Sequence, residues 1–259
     1  MKVTVLGSGT SHGVPAIGCD CPVCTSTDPR DKRTRPSIYI DTGDRAILVD
    51  TSTDLRMQAL VNDIRRVDAI LFTHSHADHV MGLDDVRRFN QMQKSVIPCY
   101  GGADTLENLR QMFSYVFRPP KQLGGGLPEL SLNPIDGPFF LGRSRIVPVP
   151  LWHGALPILG FRIGAFAYLT DCNRIPDESW PLLTADDGVR WIVLDALRHR
   201  PHSTHFSLDE AVAVARQLGV ERAYFTHISH DLPHEETNAA LPDNVRLAHD
   251  GLKLEFDIA

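Results

Sequence analysis

The sequence predicts an α/β protein built from two strand-rich halves. Three observations point there. Ala69-Ile-Leu-Phe72 is an apolar run of strand length that stops abruptly at Thr73-His-Ser-His-Ala-Asp-His79. Later, single histidines or aspartates again follow short apolar runs: His153 after 146–151, Asp171 after 168–170, and His227 after 224–226. Between the two sets lies Pro119-Pro-Lys-Gln-Leu-Gly-Gly-Gly126, the strongest breaker in the chain. It reads as the loop where two αβ halves of one domain, 1–259, meet.

The elements follow in order. Residues 2–6 read as a first strand. Gly7-Ser-Gly-Thr-Ser-His-Gly13 lacks the helix and lysine of a phosphate cradle, so it reads as a tight turn beside the histidine- and aspartate-bearing strand ends. Residues 28–35 are a charged surface loop of balanced sign. Residues 37–41 and 46–50 form a hairpin around Thr42-Gly-Asp-Arg45. Helical periodicity covers 55–64, the strand 69–72 follows, and a further helix lies near 83–89. A strand at 96–100 and a helix at 105–117 complete the first half. Strands at 146–149, 158–163, 167–170 and 191–194, a helix at 208–218 and a strand at 223–225 build the second. Strands at 245–248 and 252–256 close the second sheet.

Bulk properties narrow the classes. With 42% hydrophobic and 22% charged residues, the 259-residue chain can bury a full core. A formal charge of −6 argues against a long nucleic-acid partner, which wants a basic face. No apolar run approaches the roughly 18 residues of a membrane span. The N-terminus reads as a strand and not a signal peptide. Five cysteines, three of them in Cys19-Asp-Cys-Pro-Val-Cys24, read as a metal pattern, which suits a reducing cytoplasm.

The histidine cluster carries the chemistry. In an extended segment His74 and His76 point the same way. Asp78 and His79, on the first turn of a helix, can turn back toward the same point. Two imidazoles and a carboxylate at ligand spacing indicate metal, and the strand-end residues His153, Asp171 and His227 supply enough further groups for a pair of ions. The set is all imidazole and carboxylate, which suits zinc, manganese or iron. Two such ions can hold a bridging hydroxide as nucleophile and neutralise charge on a phosphoryl or carbonyl oxygen. Cys19, Cys21 and Cys24 offer three thiolates to a structural zinc that wants four ligands. The fourth is open among Cys99, Cys172, His12 and His230, and His230 lies three residues after His227.

His74-Ser-His-Ala-Asp-His79 resembles the signature of the metallo-β-lactamase superfamily. The resemblance implies a four-layer αββα sandwich with a dinuclear site at its lip. It places His74, His76 and His153 on one metal, Asp78, His79 and His227 on the other, and Asp171 between them. Asp50 matches the superfamily's second-strand aspartate, which orients a ligand. The family's usual glycine two residues on is Ser52 here. Together with Gly18-Cys-Asp-Cys-Pro-Val-Cys24 and Thr226-His-Ile-Ser-His230, the motifs are similar to the PhnP family of phosphodiesterases. That resemblance implies a structural zinc held by Cys19, Cys21, Cys24 and His230, and a homodimer. It also implies hydrolysis of a small cyclic phosphodiester such as phosphoribosyl 1,2-cyclic phosphate or a 2′,3′-cyclic nucleotide. The cysteine cluster also resembles PqqB, an accessory or carrier protein of cofactor biosynthesis, whose chains run longer. The ligand set is shared with tRNA 3′-processing nucleases, but no long basic excursion here resembles their tRNA-clamping arm.

An expelled alkoxide needs a proton. Asp195-Ala-Leu-Arg-His-Arg-Pro-His-Ser-Thr-His-Phe-Ser-Leu208 offers His199, His202 and His205. The first two read as solvent-facing. His205 lies just before Ser207, the expected cap of the 208–218 helix, so its place is fixed by the helix start. It also matches the histidine that the PhnP family sets beside the metals without using it as a ligand. His205 is therefore the general acid, working beside Asp78 and Asp171, and Arg198 or Arg200 is the phosphate contact.

Overall fold

In a computed structural model of the chain, residues 1–118 and 126–256 are described. The first sheet is built from β1 (Lys2–Gly7), β2 (Ser37–Asp41), β3 (Ala46–Val49), β4 (Ala69–Leu71), β5 (Ile97–Gly101), β6 (Leu130–Pro134) and β14 (Lys253–Glu255). Its order is β14-β1-β2-β3-β4-β5-β6. The second takes β7 (Phe139–Leu141), β8 (Ser144–His153), β9 (Leu156–Ile163), β10 (Phe166–Leu169), β11 (Trp191–Asp195), β12 (Arg222–Thr226) and β13 (Val245–Leu247). Its order is β13-β12-β11-β10-β9-β8-β7. Each sheet runs from an antiparallel meander into parallel strands: β3, β4, β5 and β6 in the first, and β10, β11, β12 and β13 in the second.

Strand alternation sorts the apolar residues into layers. In β3 and β4, Ile47, Val49, Ala69 and Leu71 face the other sheet and meet Phe161, Phe166, Tyr168 and Val193. Leu48 and Ile70 face outward, against Leu55 of α1 (Leu55–Val61), Val80 of α2 (Ala77–Val80), Phe89 of α3 (Arg87–Gln93) and Leu106 of α4 (Ala103–Met112). A short helix, α5 (Ser114–Phe117), follows α4. On the far face, Ile192 and Leu194 meet Leu183 of α6 (Trp180–Thr184) and Ala211 and Ala215 of α7 (Leu208–Leu218). The final helix is α8 (His234–Ala240). Two mixed sheets flanked by helices make the predicted αββα sandwich.

Several expectations need correction. The 252–256 strand does not close the second sheet: β14 returns to the first and pairs antiparallel with β1, with Leu254 buried between the sheets. The 119–126 breaker, apart from Gly126, lies outside the described residues. The strand after it, β6, still pairs with β5, so the chain passes between sheets at 135–138. The 55–64 helix ends at Val61, and the one expected at 83–89 divides into a 3-10 turn at Leu83–Val86 and α3. The 28–35 loop is not all surface, because Asp31 and Arg33 are buried as an ion pair. Ser52 does not disturb its turn: its hydroxyl donates to Gln58 at 2.9 Å. The small residue is needed opposite, where a Cβ on Gly82 would collide with the Ser52 carbonyl.

Candidate metal centre and its cavity

The candidate ligands collect where parallel strands end. Asp50 follows β3, residues 74–79 follow β4, Asp171 follows β10, Asp195 ends β11 and His227 follows β12. His153, the last residue of β8, reaches the same rim. This is the edge at which open α/β sheets gather ligands. Asp50, Asp171 and His227 all sit in the left-handed region, with φ of 62°, 56° and 59°. Non-glycine residues rarely adopt it, and three on one rim mark backbone held for the site.

Two clusters form, each with its ligand atoms within 4.8 Å of one another: His74, His76 and His153, and Asp78, His79, Asp171 and His227. The Asp171 oxygens lie 3.1 Å from Nε2 of both His79 and His227, and 4.0 Å from Nε2 of His74. Asp171 therefore stands between the two groups. The Nε2 atoms of His74, His79 and His227 are buried with no hydrogen-bond partner. Buried polar atoms are normally satisfied, so three inward-facing imidazole nitrogens beside two carboxylates fit divalent cations.

A layer of hydrogen bonds fixes these rings from behind. His79 Nδ1 lies 2.7 Å from Asp50 Oδ2, and Asp50 also accepts from the Thr73 amide and hydroxyl. His153 Nδ1 donates to the Thr204 carbonyl at 2.9 Å, which leaves Nε2 for the site. Thr73 and Thr204 were not singled out in the sequence; their side chains and carbonyls look ordinary there.

Electrostatics agree with the geometry. Burial holds the imidazoles of His74, His76 and His153 below the ordinary histidine range, which keeps them neutral and able to ligate. For His79 burial acts the same way, but the Asp171, Asp50 and Asp78 carboxylates outweigh it and raise the group well above that range. Burial works to raise Asp78 and Asp171 too, yet the imidazoles around them hold both carboxyls below their usual range.

His205 is 7% exposed, with its ring centroid 4.7 Å from that of His153 and 4.6 Å from that of His227. Ser207 caps α7 through a capping box with Glu210, which fixes this end of the loop. Asp195, fully buried, accepts the Phe206 amide and lies 3.3 Å from His205 Nδ1. Its partnership was missed because the strand-end position it shares with Asp171 does not say which side chain it will meet. His199 is exposed as expected. His202 is not: it is half-buried, 5.1 Å from the His205 ring, because Thr204 donates to its Nδ1 and turns it inward.

A cavity of about 450 Å³ opens beside His205, with His12, Arg198, Arg200, His202 and Ser229 in its walls. Carbonyls of Arg200 and Pro201 pin the Arg198 guanidinium, while Arg200 lies 3.6 Å from Asp231. The Gly7–Gly13 turn forms one rim, with the Thr10 amide donating to the Ile228 carbonyl next to His227.

Cys19, Cys21 and Cys24 converge on His230, whose Nδ1 lies 3.3, 3.6 and 3.3 Å from their sulfurs. Three thiols and an imidazole make a donor set that fits a closed tetrahedral zinc site. Cys99 and Cys172 are buried away in the helix–sheet layers, and His12 faces the cavity.

A family model described as a beta-lactamase superfamily domain matches residues 45–228. The crystal structure of a diphosphatase from the PhnP family has 46% sequence identity and a TM-score of 0.91, covering 99% of this chain and 98% of that one. An octanoyltransferase of Porphyromonas gingivalis is 39% identical over 261 residues, taking in 99% of this chain but 52% of that protein. This chain thus spans about half the length of that relative. Coenzyme PQQ synthesis protein B of Methylorubrum extorquens is 35% identical over 308 residues, covering 99% of this chain and 100% of that protein.

Proposed function

Because the chain belongs to the metallo-β-lactamase superfamily and is PhnP-like, a metal-dependent hydrolase by descent, we propose that it hydrolyses a small phosphodiester, cyclic or nucleotide-like. The observation that carries this reading is His205, backed by Asp195 and packed against one candidate ligand of each cluster, His153 and His227. A hydrolase whose leaving group is a poor one needs such a proton donor.

His74, His76 and His153 would hold one divalent ion and Asp78, His79 and His227 the other, with Asp171 shared. Bound there, zinc, manganese or iron would activate a water and neutralise phosphoryl charge. The rest falls to the chain. The cavity admits the diester, and Arg198, preorganised by its two carbonyls, contacts a phosphoryl oxygen. Water adds to phosphorus and releases a proton, the P–O ester bond breaks, and the departing oxygen takes the Nε2 proton of His205 in its imidazolium form, which burial disfavours, the Asp171 and Asp78 carboxylates favour, and the proton released by the water restores. Asp195 keeps Nδ1 as the donor to itself, so that Nε2 is the nitrogen turned to the reaction. Cys19, Cys21, Cys24 and His230 would hold a structural zinc, and the protein would act as a homodimer, which sedimentation reads directly.

A second reading, hydrolysis of a phosphoric anhydride, is supported by the PhnP-family diphosphatase relative. The name of the Porphyromonas gingivalis relative belongs to a protein about twice as long as this chain. Turnover of bis-p-nitrophenyl phosphate, 2′,3′-cyclic nucleotides, cyclic ribose phosphates and nucleoside diphosphates, with added Mn²⁺ or Zn²⁺, separates these readings. Activity on diesters supports the first. Activity confined to diphosphates supports the second. Inactivity on all phosphate substrates overturns both, and favours an accessory role like that of the PQQ synthesis relatives.

A further inference from the structure

Arg33 has a side chain without solvent exposure, and among the described residues it forms an ion pair with Asp31, 2.9 Å from Nη2. A buried guanidinium needs all its donors met. Nη1 donates to the Ser229 carbonyl at 2.7 Å and Nη2 to the Leu232 carbonyl at 2.6 Å. These two carbonyls bracket His230 and Asp231. Asp31 also accepts the His234 amide at 2.9 Å, which ties in the start of α8. On its backbone, Arg33 exchanges two hydrogen bonds with Val14, at 2.7 and 2.8 Å. Val14 packs with Val23 and Cys24 at the base of the cysteine loop. Gly9 is required alongside, since a Cβ there would stand 2.8 Å from the Arg33 carbonyl.

One side chain thus grips the turn that brings His230 to the three cysteines, while its main chain grips the loop that carries them. The same turn gives Ser229, His230 and Asp231 to the wall of the cavity beside His205. We infer that Arg33 is a positioning residue that couples the thiolate site to the substrate cavity, so that the cysteine site sets substrate affinity as well as stability. The kinetic half of this inference rests on the phosphodiesterase reading; the metal half does not.

The test is Arg33→Lys, which keeps a charge against Asp31 but cannot span both carbonyls, alongside the milder Asp31→Asn. Co²⁺ loaded at the cysteine site gives thiolate-to-cobalt absorption. Both variants should bind it more weakly, by roughly 10–100-fold for Arg33→Lys. On bis-p-nitrophenyl phosphate, KM should rise several-fold with kcat held, the pattern of lost ground-state positioning. Wild-type cobalt affinity and KM in a folded variant would overturn the inference even if the melting temperature fell. A loss confined to kcat would overturn it too. Should Arg33→Lys not fold, Asp31→Asn alone decides on the same two readouts. Should the wild type turn over no diester, the cobalt titration still decides the coupling to the cysteine site, and it is the phosphodiesterase reading that has failed.

Discussion

His205 Nδ1 faces Asp195 Oδ2 at 3.3 Å, and both side chains are buried. The pairing turns the other ring nitrogen of His205 toward the candidate metal ligands. Replacing His205 by Ala should cost roughly 10²–10⁴-fold on a diester with an alkyl leaving group. The cost should be far smaller on a p-nitrophenyl ester, whose leaving group departs without a proton, and metal content should not change. Equal losses on both substrates would show that His205 has another task.

Asp50 touches no reacting atom but orients His79 at 2.7 Å. Asp50→Asn should weaken metal binding by roughly 10–100-fold, read by competition with a chelator, and activity should return at high metal concentration. Unchanged metal affinity would remove Asp50 from this role.

Cys21 and Asp171 should separate stability from chemistry. Cys21→Ser breaks the thiolate site and should lower the melting temperature and raise KM, with kcat of the surviving folded fraction held. Asp171→Ala should do the reverse, abolishing turnover with the fold intact. A Cys21→Ser protein of wild-type thermal stability would contradict the structural-zinc assignment.

Acid stability should carry a signature of His234. Burial, with Arg30 and Arg33 nearby, pushes its imidazole down to about 4. Between the ordinary histidine value near 6.5 and that point, the unfolded chain takes up a proton that the native chain refuses. Stability should therefore fall as pH drops from about 6.5 to about 4 and gain nothing from this group above 6.5. His234→Asn should flatten that part of the stability–pH curve, measured by denaturant melts on metal-stripped protein. An unchanged slope would place the imidazole in solvent.

Much of this was legible in the sequence because the site advertises itself locally. Each candidate ligand stands where an apolar run ends, and strand ends are where a sheet presents side chains to a common rim. What escaped depends on contacts distant in sequence. Asp195 is told from any strand-end aspartate only by the approach of His205 from the following loop. Arg33 sits in a run of charges that looks solvated, and its burial comes from carbonyls some two hundred positions away. The place of β14 in the first sheet depends on pairing with the opposite terminus, which no local pattern encodes.

The most direct measurement of the central claim is turnover of bis-p-nitrophenyl phosphate as metal is returned to stripped protein, with bound ions counted in parallel. Turnover should be absent without metal and full only near two divalent ions at the histidine–aspartate site, about three per chain with the cysteine site filled. Full activity in a preparation holding a single ion per chain, or none, would contradict it.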